Sequence, residues 1–167
     1  MNLNKPSVNE FENIINDILI NNKFKELDNE LHHGISRYGH SLRVAKGTYK
    51  ITKKLNLNYK SATRAALLHD FYLNNELETK NCFTALFDHP TKALETASKY
   101  YNLTSLESNI IESHMFPFGY KKPKYKESWV VTLVDKSVAL YEMYRFKLSL
   151  KLGIYLIFVF NMITVQR

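Results

Sequence analysis

The run Ala62-Thr63-Arg64-Ala65-Ala66-Leu67-Leu68-His69-Asp70 constrains this chain more than any other stretch. Ala and Leu at helical spacing carry a histidine and a carboxylate to the edge of a core. Burying either group without a partner costs roughly 2–7 kcal/mol. Compensation has to come from elsewhere, and four further side chains suit it: His40 upstream, then His89, His114 and Asp135 downstream. The six together predict a metal centre, of two ions.

A chain of 167 residues fits one domain with its own core. Gly and Pro are scarce and the apolar residues recur at helical spacing, so the expected fold class is all-α, a single compact bundle of about six to eight helices. The lone Cys82 excludes an internal disulfide and suits a reducing, cytoplasmic setting. The first twenty residues contain Glu10, Glu12 and Asp17 and do not read as a signal peptide. A formal charge of +7 suits an anionic partner, and equally a Lys- and Asn-rich composition with no functional meaning.

Along the chain, Val8, Phe11, Ile14, Ile15, Ile18 and Leu19 form an amphipathic helix over 7–22 with Ser7 as its cap. A short segment follows over 24–33. Ser36 caps a long helix to about Leu55, on which His40, Val44, Gly47 and Ile51 share an inward face. The next helix runs from Tyr59 to Phe71. Residues 74–88 read as a loop with a short helix near 83–87, and Pro90 as the first position of a new helix with His89 at its N-cap. Thr104 and Glu107 make a capping box for a helix that aligns Leu106, Ile110 and His114. A basic loop, Lys121-Lys122-Pro123-Lys124-Tyr125-Lys126, precedes a helix over 127–146 that turns Val131, Val134, Asp135 and Val138 inward. Residues 148–165 are hydrophobic but carry Lys151, Asn161 and Thr164, and fall short of the about 20 mostly apolar residues of a bilayer span. The expected domain is therefore 1–146, with 147–167 a hydrophobic helix or tail packed on it or forming a homodimer contact.

The six metal-ligand candidates lie on about five segments, so helices must converge to bring them together. Imidazole and carboxylate without thiolate suit iron or manganese first, with zinc, cobalt or nickel as options. Asp70 has two oxygens and can bridge two ions. Two such ions about 3.5–4 Å apart can clamp the attacking and leaving oxygens of a phosphoryl transfer and lower the pKa of a bound water to near 7.

The order Arg37-Tyr38-Gly39-His40-Ser41-Leu42-Arg43-Val44-Ala45, Leu67-Leu68-His69-Asp70, His114, Leu133-Val134-Asp135-Lys136 resembles the HD-domain metal-dependent phosphohydrolase superfamily over residues 30–145. The extra histidines His89 and His114 resemble its dinuclear branch, and the stretch around His40 is similar to symmetrical diadenosine-tetraphosphate hydrolases. The resemblance implies a helical bundle. It places one ion on His40, His69, Asp70 and Asp135, and a second on His89 and His114 with Asp70 bridging. The Met115-Phe116-Pro117 that follows His114 matches no substrate class, and the tail after Phe146 lies outside the resemblance.

The expected activity is hydrolysis of a phosphate ester or anhydride of a nucleotide or another small phosphorylated substrate, by a metal-bound hydroxide bridging the two ions. Arg37, Lys121, Lys122 and Lys124 are the candidate phosphate binders. Asp70 and Lys136 are the candidate catalytic groups, Lys136 equally readable as half of an ordinary ion pair. Two competitors stand beside this expectation. One is an HD-type di-iron oxygenase. The other is a non-catalytic, metal-stabilised module that binds a nucleotide, a nucleic acid or a membrane surface. A stable nucleic-acid partner and membrane insertion are not expected. His32 and His33 fit no ligand position.

Overall fold

The computed structural model describes the backbone of residues 8–32, 35–76 and 82–165, and the side chains of 10–30, 35–75 and 87–152. Seven α-helices make up nearly all of it: α1 Val8–Leu19, α2 Asn22–Lys25, α3 Arg37–Lys54, α4 Tyr59–Leu68, α5 Cys82–Tyr100, α6 Ser105–Ser113 and α7 Lys126–Val165. The all-α expectation holds. A two-residue antiparallel ladder, Leu31–His32 with Ile35–Ser36, lies between α2 and α3.

Helix α4 is the centre. Its small residues Ala62, Ala65 and Ala66 are fully buried, and so are Leu67, Leu68 and His69. Missing side-chain bulk lets neighbouring helices close on it: α3 and α6 pack along it, and α7 lies against α3 and α6. Helix α1 adds Ile15 and Ile18 to the same core, and Arg64 of α4 holds it by donating to the Ile14 carbonyl (2.9 Å) and to Asp17 (2.5 Å).

Local chemistry places the helix ends as the sequence implies. The Ser36 hydroxyl accepts from Gly39 N–H and starts α3; Asn58 does the same for α4 through Ser61 N–H. The Thr104–Glu107 capping box of α6 is complete.

Three expectations are corrected. Pro90 does not open a helix: α5 runs unbroken through it from Cys82, so His89 is an interior helical residue and not an N-cap. A proline there forfeits one ladder hydrogen bond, at a cost of about 3 kcal/mol. Packing offsets this, because His89, Ala93, Thr96 and Ala97 form a buried stripe on the same helix. Ile51 lies at the uncovered end of its face, 42 % exposed, in an open apolar groove with Leu133, Val134, Val138 and Tyr141 of α7. Helix α7 does not stop near Phe146 but continues as one 40-residue helix to Val165. Its side chains from Tyr144 to Leu152 are exposed, and those of the hydrophobic tail beyond Leu152 lie outside the described residues. Among the described residues no helix is long and apolar enough to cross a membrane.

Candidate metal centre

Five helices deliver the six side chains to one place. His40 comes from the first turn of α3, His69 caps the C-terminus of α4 with Asp70 directly after it, and His114 caps the C-terminus of α6. His89 comes from α5 and Asp135 from α7. Both cap histidines are buried where their helices end, and the Nε2 of each lies within 3.6 Å of an Asp70 oxygen.

Asp70 is the hub. Its Oδ1 lies 3.5 Å from His89 Nε2 and 3.6 Å from His114 Nε2, and its Oδ2 lies 3.5 Å from His69 Nε2. Asp135 Oδ1 lies 3.0 Å from His40 Nε2 and 3.5 Å from His69 Nε2. His89 and His114 face each other, Nε2 to Nε2 at 3.0 Å. Two ligand groups emerge, His40, His69 and Asp135 in one and His69, Asp70 and His114 in the other, with His69 in both.

The unused nitrogens are accounted for. His69 Nδ1 donates to the Ala66 carbonyl (2.8 Å), and His114 Nδ1 to the Ile111 carbonyl (2.7 Å). A carbonyl can only accept, so both rings carry the proton on Nδ1 and present a bare Nε2 to the centre when neutral.

Electrostatics keep the ligands in binding form. Burial pushes the Asp70 carboxyl up, but the imidazoles of His69, His89, His114 and His40 outweigh it and hold the group well below the usual carboxylate range. Burial acts likewise on Asp135, where the hydrogen bond from His40 and the nearby His69 imidazole win. His114 is lowered to about 3 by burial and by His69 and His89, so it is neutral at pH 7. His40 and His69 are the exceptions. Burial lowers the pKa of His40, yet Asp135 and Glu142 together raise it to about 10. At His69 burial is likewise outweighed, and Asp70 and Asp135 raise the pKa.

The fit to a cation rests on two atoms. Of the buried side-chain polar atoms that lack a hydrogen-bond partner among the described residues, two belong to this cluster: His69 Nε2 and Asp70 Oδ1. Each such atom costs about 1–3 kcal/mol if left unsatisfied. Both are lone-pair donors facing the same space, which a divalent ion satisfies at once.

The expected phosphate binders are placed differently. Arg37 is buried and turned to the protein: it donates to the Tyr72 carbonyl (2.6 Å) and Asn74 Oδ1 (2.8 Å) and stacks 4.0 Å over the Tyr72 ring. These contacts make Arg37 a support of Tyr72, whose ring packs against His89 with centroids 5.5 Å apart. The basic loop folds back along α6, where the Lys124 N–H donates to Asn109 and Lys121 pairs with Glu112. Asn109 precedes His114 by about 7.5 Å of helix rise, so the loop is set back from the cluster. Lys122 and Lys124 have exposed side chains. Lys136 forms no ion pair with Asp135; its ammonium donates to the His114 carbonyl (2.8 Å), and burial lowers its pKa.

Sequence reasoning missed Glu142. It is 1 % exposed, accepts from His40 Nδ1 at 2.8 Å and pairs with Arg43 Nε at 2.6 Å. The signal was its spacing: two turns after Asp135 on α7, with Arg43 one turn after His40 on α3.

A family model for the HD domain matches residues 37–140. No curated protein matches the chain, and no solved structure does.

Proposed function

The chain belongs to the HD-domain family, and on that premise we propose that it is a metal-dependent phosphohydrolase with a two-ion centre. The observation that carries the proposal is the convergence of six imidazole and carboxylate side chains, two of whose buried atoms, His69 Nε2 and Asp70 Oδ1, lack hydrogen-bond partners; five of the six fall in the two candidate ligand groups, and His89 joins them through Asp70. Imidazole and carboxylate donors fit iron or manganese, with zinc, cobalt and nickel admissible.

His40, His69 and Asp135 would hold one ion. His114 and His89 would hold the other, and Asp70 would reach both. What the metal supplies when bound is Lewis acidity, enough to bring a coordinated water to a pKa near 7. The protein supplies orientation. The Ala66 and Ile111 carbonyls fix the His69 and His114 rings, and Lys136 ties the His114 backbone to α7. Arg37 and Tyr72 brace His89. Anionic substrate would be drawn by the net charge of +7, with Lys121, Lys122, Lys124 and Lys126 the exposed lysines of the basic loop. A nucleotide or another small phosphorylated compound is the proposed substrate.

Metal content of protein purified without chelator or added metal tests this, together with phosphate release from a nucleotide panel in manganese or iron. About two ions per chain, falling toward one in His89→Ala, with metal-dependent hydrolysis, supports the reading. One ion, unchanged by that substitution, removes His89 from the site. Oxygen-dependent turnover without phosphate release replaces hydrolysis with an oxygenase reaction, and absence of metal that added metal does not restore rejects the proposal.

A further inference from the structure

The four histidines are not held alike. His69 and His114 give their Nδ1 protons to neutral carbonyls three residues back on their own helices. His40 gives its Nδ1 proton to a carboxylate on another helix, Glu142 of α7. That carboxylate is almost fully buried, and its other oxygen meets Arg43. It lies beyond residue 140, outside the part of the chain matched by the family model.

A carboxylate behind a metal-binding imidazole does two things. It locks the ring with Nε2 toward the metal, and it makes that nitrogen a stronger donor. The geometry permits both here. His40 spans the gap between Glu142 and Asp135, with 2.8 Å on one side and 3.0 Å on the other. We propose that Glu142 is a positioning residue that makes the His40, His69, Asp135 position the first to take up metal. The proposal rests on the metal-centre reading above. It deepens that reading by distinguishing the two positions: one draws on an imidazole polarised by a full charge, the other on His114, whose Nδ1 has only a carbonyl partner.

A purely structural role for Glu142 is the rival account, since the Arg43–Glu142 pair also ties α3 to α7. Two substitutions separate them. Glu142→Gln keeps the shape and an oxygen that can accept from Nδ1, but removes the charge. Arg43→Ala breaks the tie between the helices and leaves the Glu142 charge wholly on His40. The measurement is titration of metal-free protein with zinc or manganese against a chromophoric chelator, with circular dichroism as the check on folding. Glu142→Gln is expected to weaken the first ion about 10–100-fold, with any second ion unchanged. Arg43→Ala is expected to bind the first ion at least as tightly as wild type. If Glu142→Gln does not fold, Glu142→Asp carries the test, with the first ion again weakened and the second not. Wild-type affinity in the Glu142 variant, or equal weakening in the two, overturns this inference while leaving the metal centre intact. A wild-type protein that takes up no metal overturns both.

Discussion

Asp70 is a carboxylate surrounded by imidazoles, and its oxygens reach His69, His89 and His114 at 3.5–3.6 Å. No neighbouring side chain can replace such a hub. Asp70→Ala is therefore expected to lose at least about one ion per chain while keeping its helical content, read by elemental analysis and circular dichroism. His40 sets the pH behaviour of metal uptake. Its pKa without metal is raised to about 10 by Asp135 and Glu142 against the effect of burial, so at pH 7 the ring is charged and must release a proton to bind. Calorimetry in buffers of different ionisation enthalpy should register at least about one proton released per first ion, His69 adding to it because Asp70 and Asp135 raise its pKa as well, with affinity rising toward pH 10. The metal-free fold responds in the opposite direction. A raised folded pKa contributes stability that is complete below about 6.5 and is lost as pH climbs through about 10.

At the scale of elements, the centre depends on how closely α3 approaches α7. Gly47 makes that approach possible: a Cβ there would sit 2.8 Å from Val134 Cγ1. Alanine gains about 1 kcal/mol in helix propensity over glycine. The clash opposes that gain, at about 1–3 kcal/mol for overpacking. It prevails because a valine on a helix has one strongly preferred rotamer and cannot turn aside. Gly47→Ala should lower the urea midpoint and weaken the first ion, because His40 and Asp135 sit on the two helices forced apart. Combining it with Val134→Ala should restore part of the loss, with a coupling of about 0.5–3 kcal/mol. Helix α6 depends on its start. Thr104→Ala removes the hydroxyl that accepts from Glu107 N–H and donates to Glu107 Oε2, and is expected to cost about 1 kcal/mol in urea unfolding.

For the whole molecule, Glu10 joins three helices. From α1 it accepts from Tyr49 (2.7 Å) and Lys53 of α3 and from Tyr59 (2.9 Å) of α4. Lys53 first, then the two tyrosines, lower its pKa from 4.5 to about 2. A depressed folded pKa contributes stability that is present above the unfolded value and lost as pH falls through the folded one. The melting-temperature difference between wild type and Glu10→Gln should thus be flat above about pH 5. It should shrink between pH 4.5 and 2, and be gone below, in a series of acid melts.

What the sequence determined by itself was the set of local decisions. Ser36, Asn58 and Thr104 start their helices because a side-chain oxygen can satisfy an N–H within three residues. The alanines of α4 mark the centre, because only small residues let helices close in. The six metal-ligand candidates were legible as a set, because a buried histidine beside a partly buried carboxylate needs partners for its lone pairs. The tertiary structure decided the rest. Pro90 is a helix-start signal locally, yet packing of the His89 stripe keeps it inside α5. Arg37 lies one turn from His40, but only the path of residues 72–74 shows that their acceptors occupy its guanidinium. Spacing puts Glu142 on the Asp135 face of α7, but its partners His40 and Arg43 are fixed only by α3 and α7 lying side by side. Spacing along one helix reports which residues share a face; which groups meet across two helices is settled only when the helices pack.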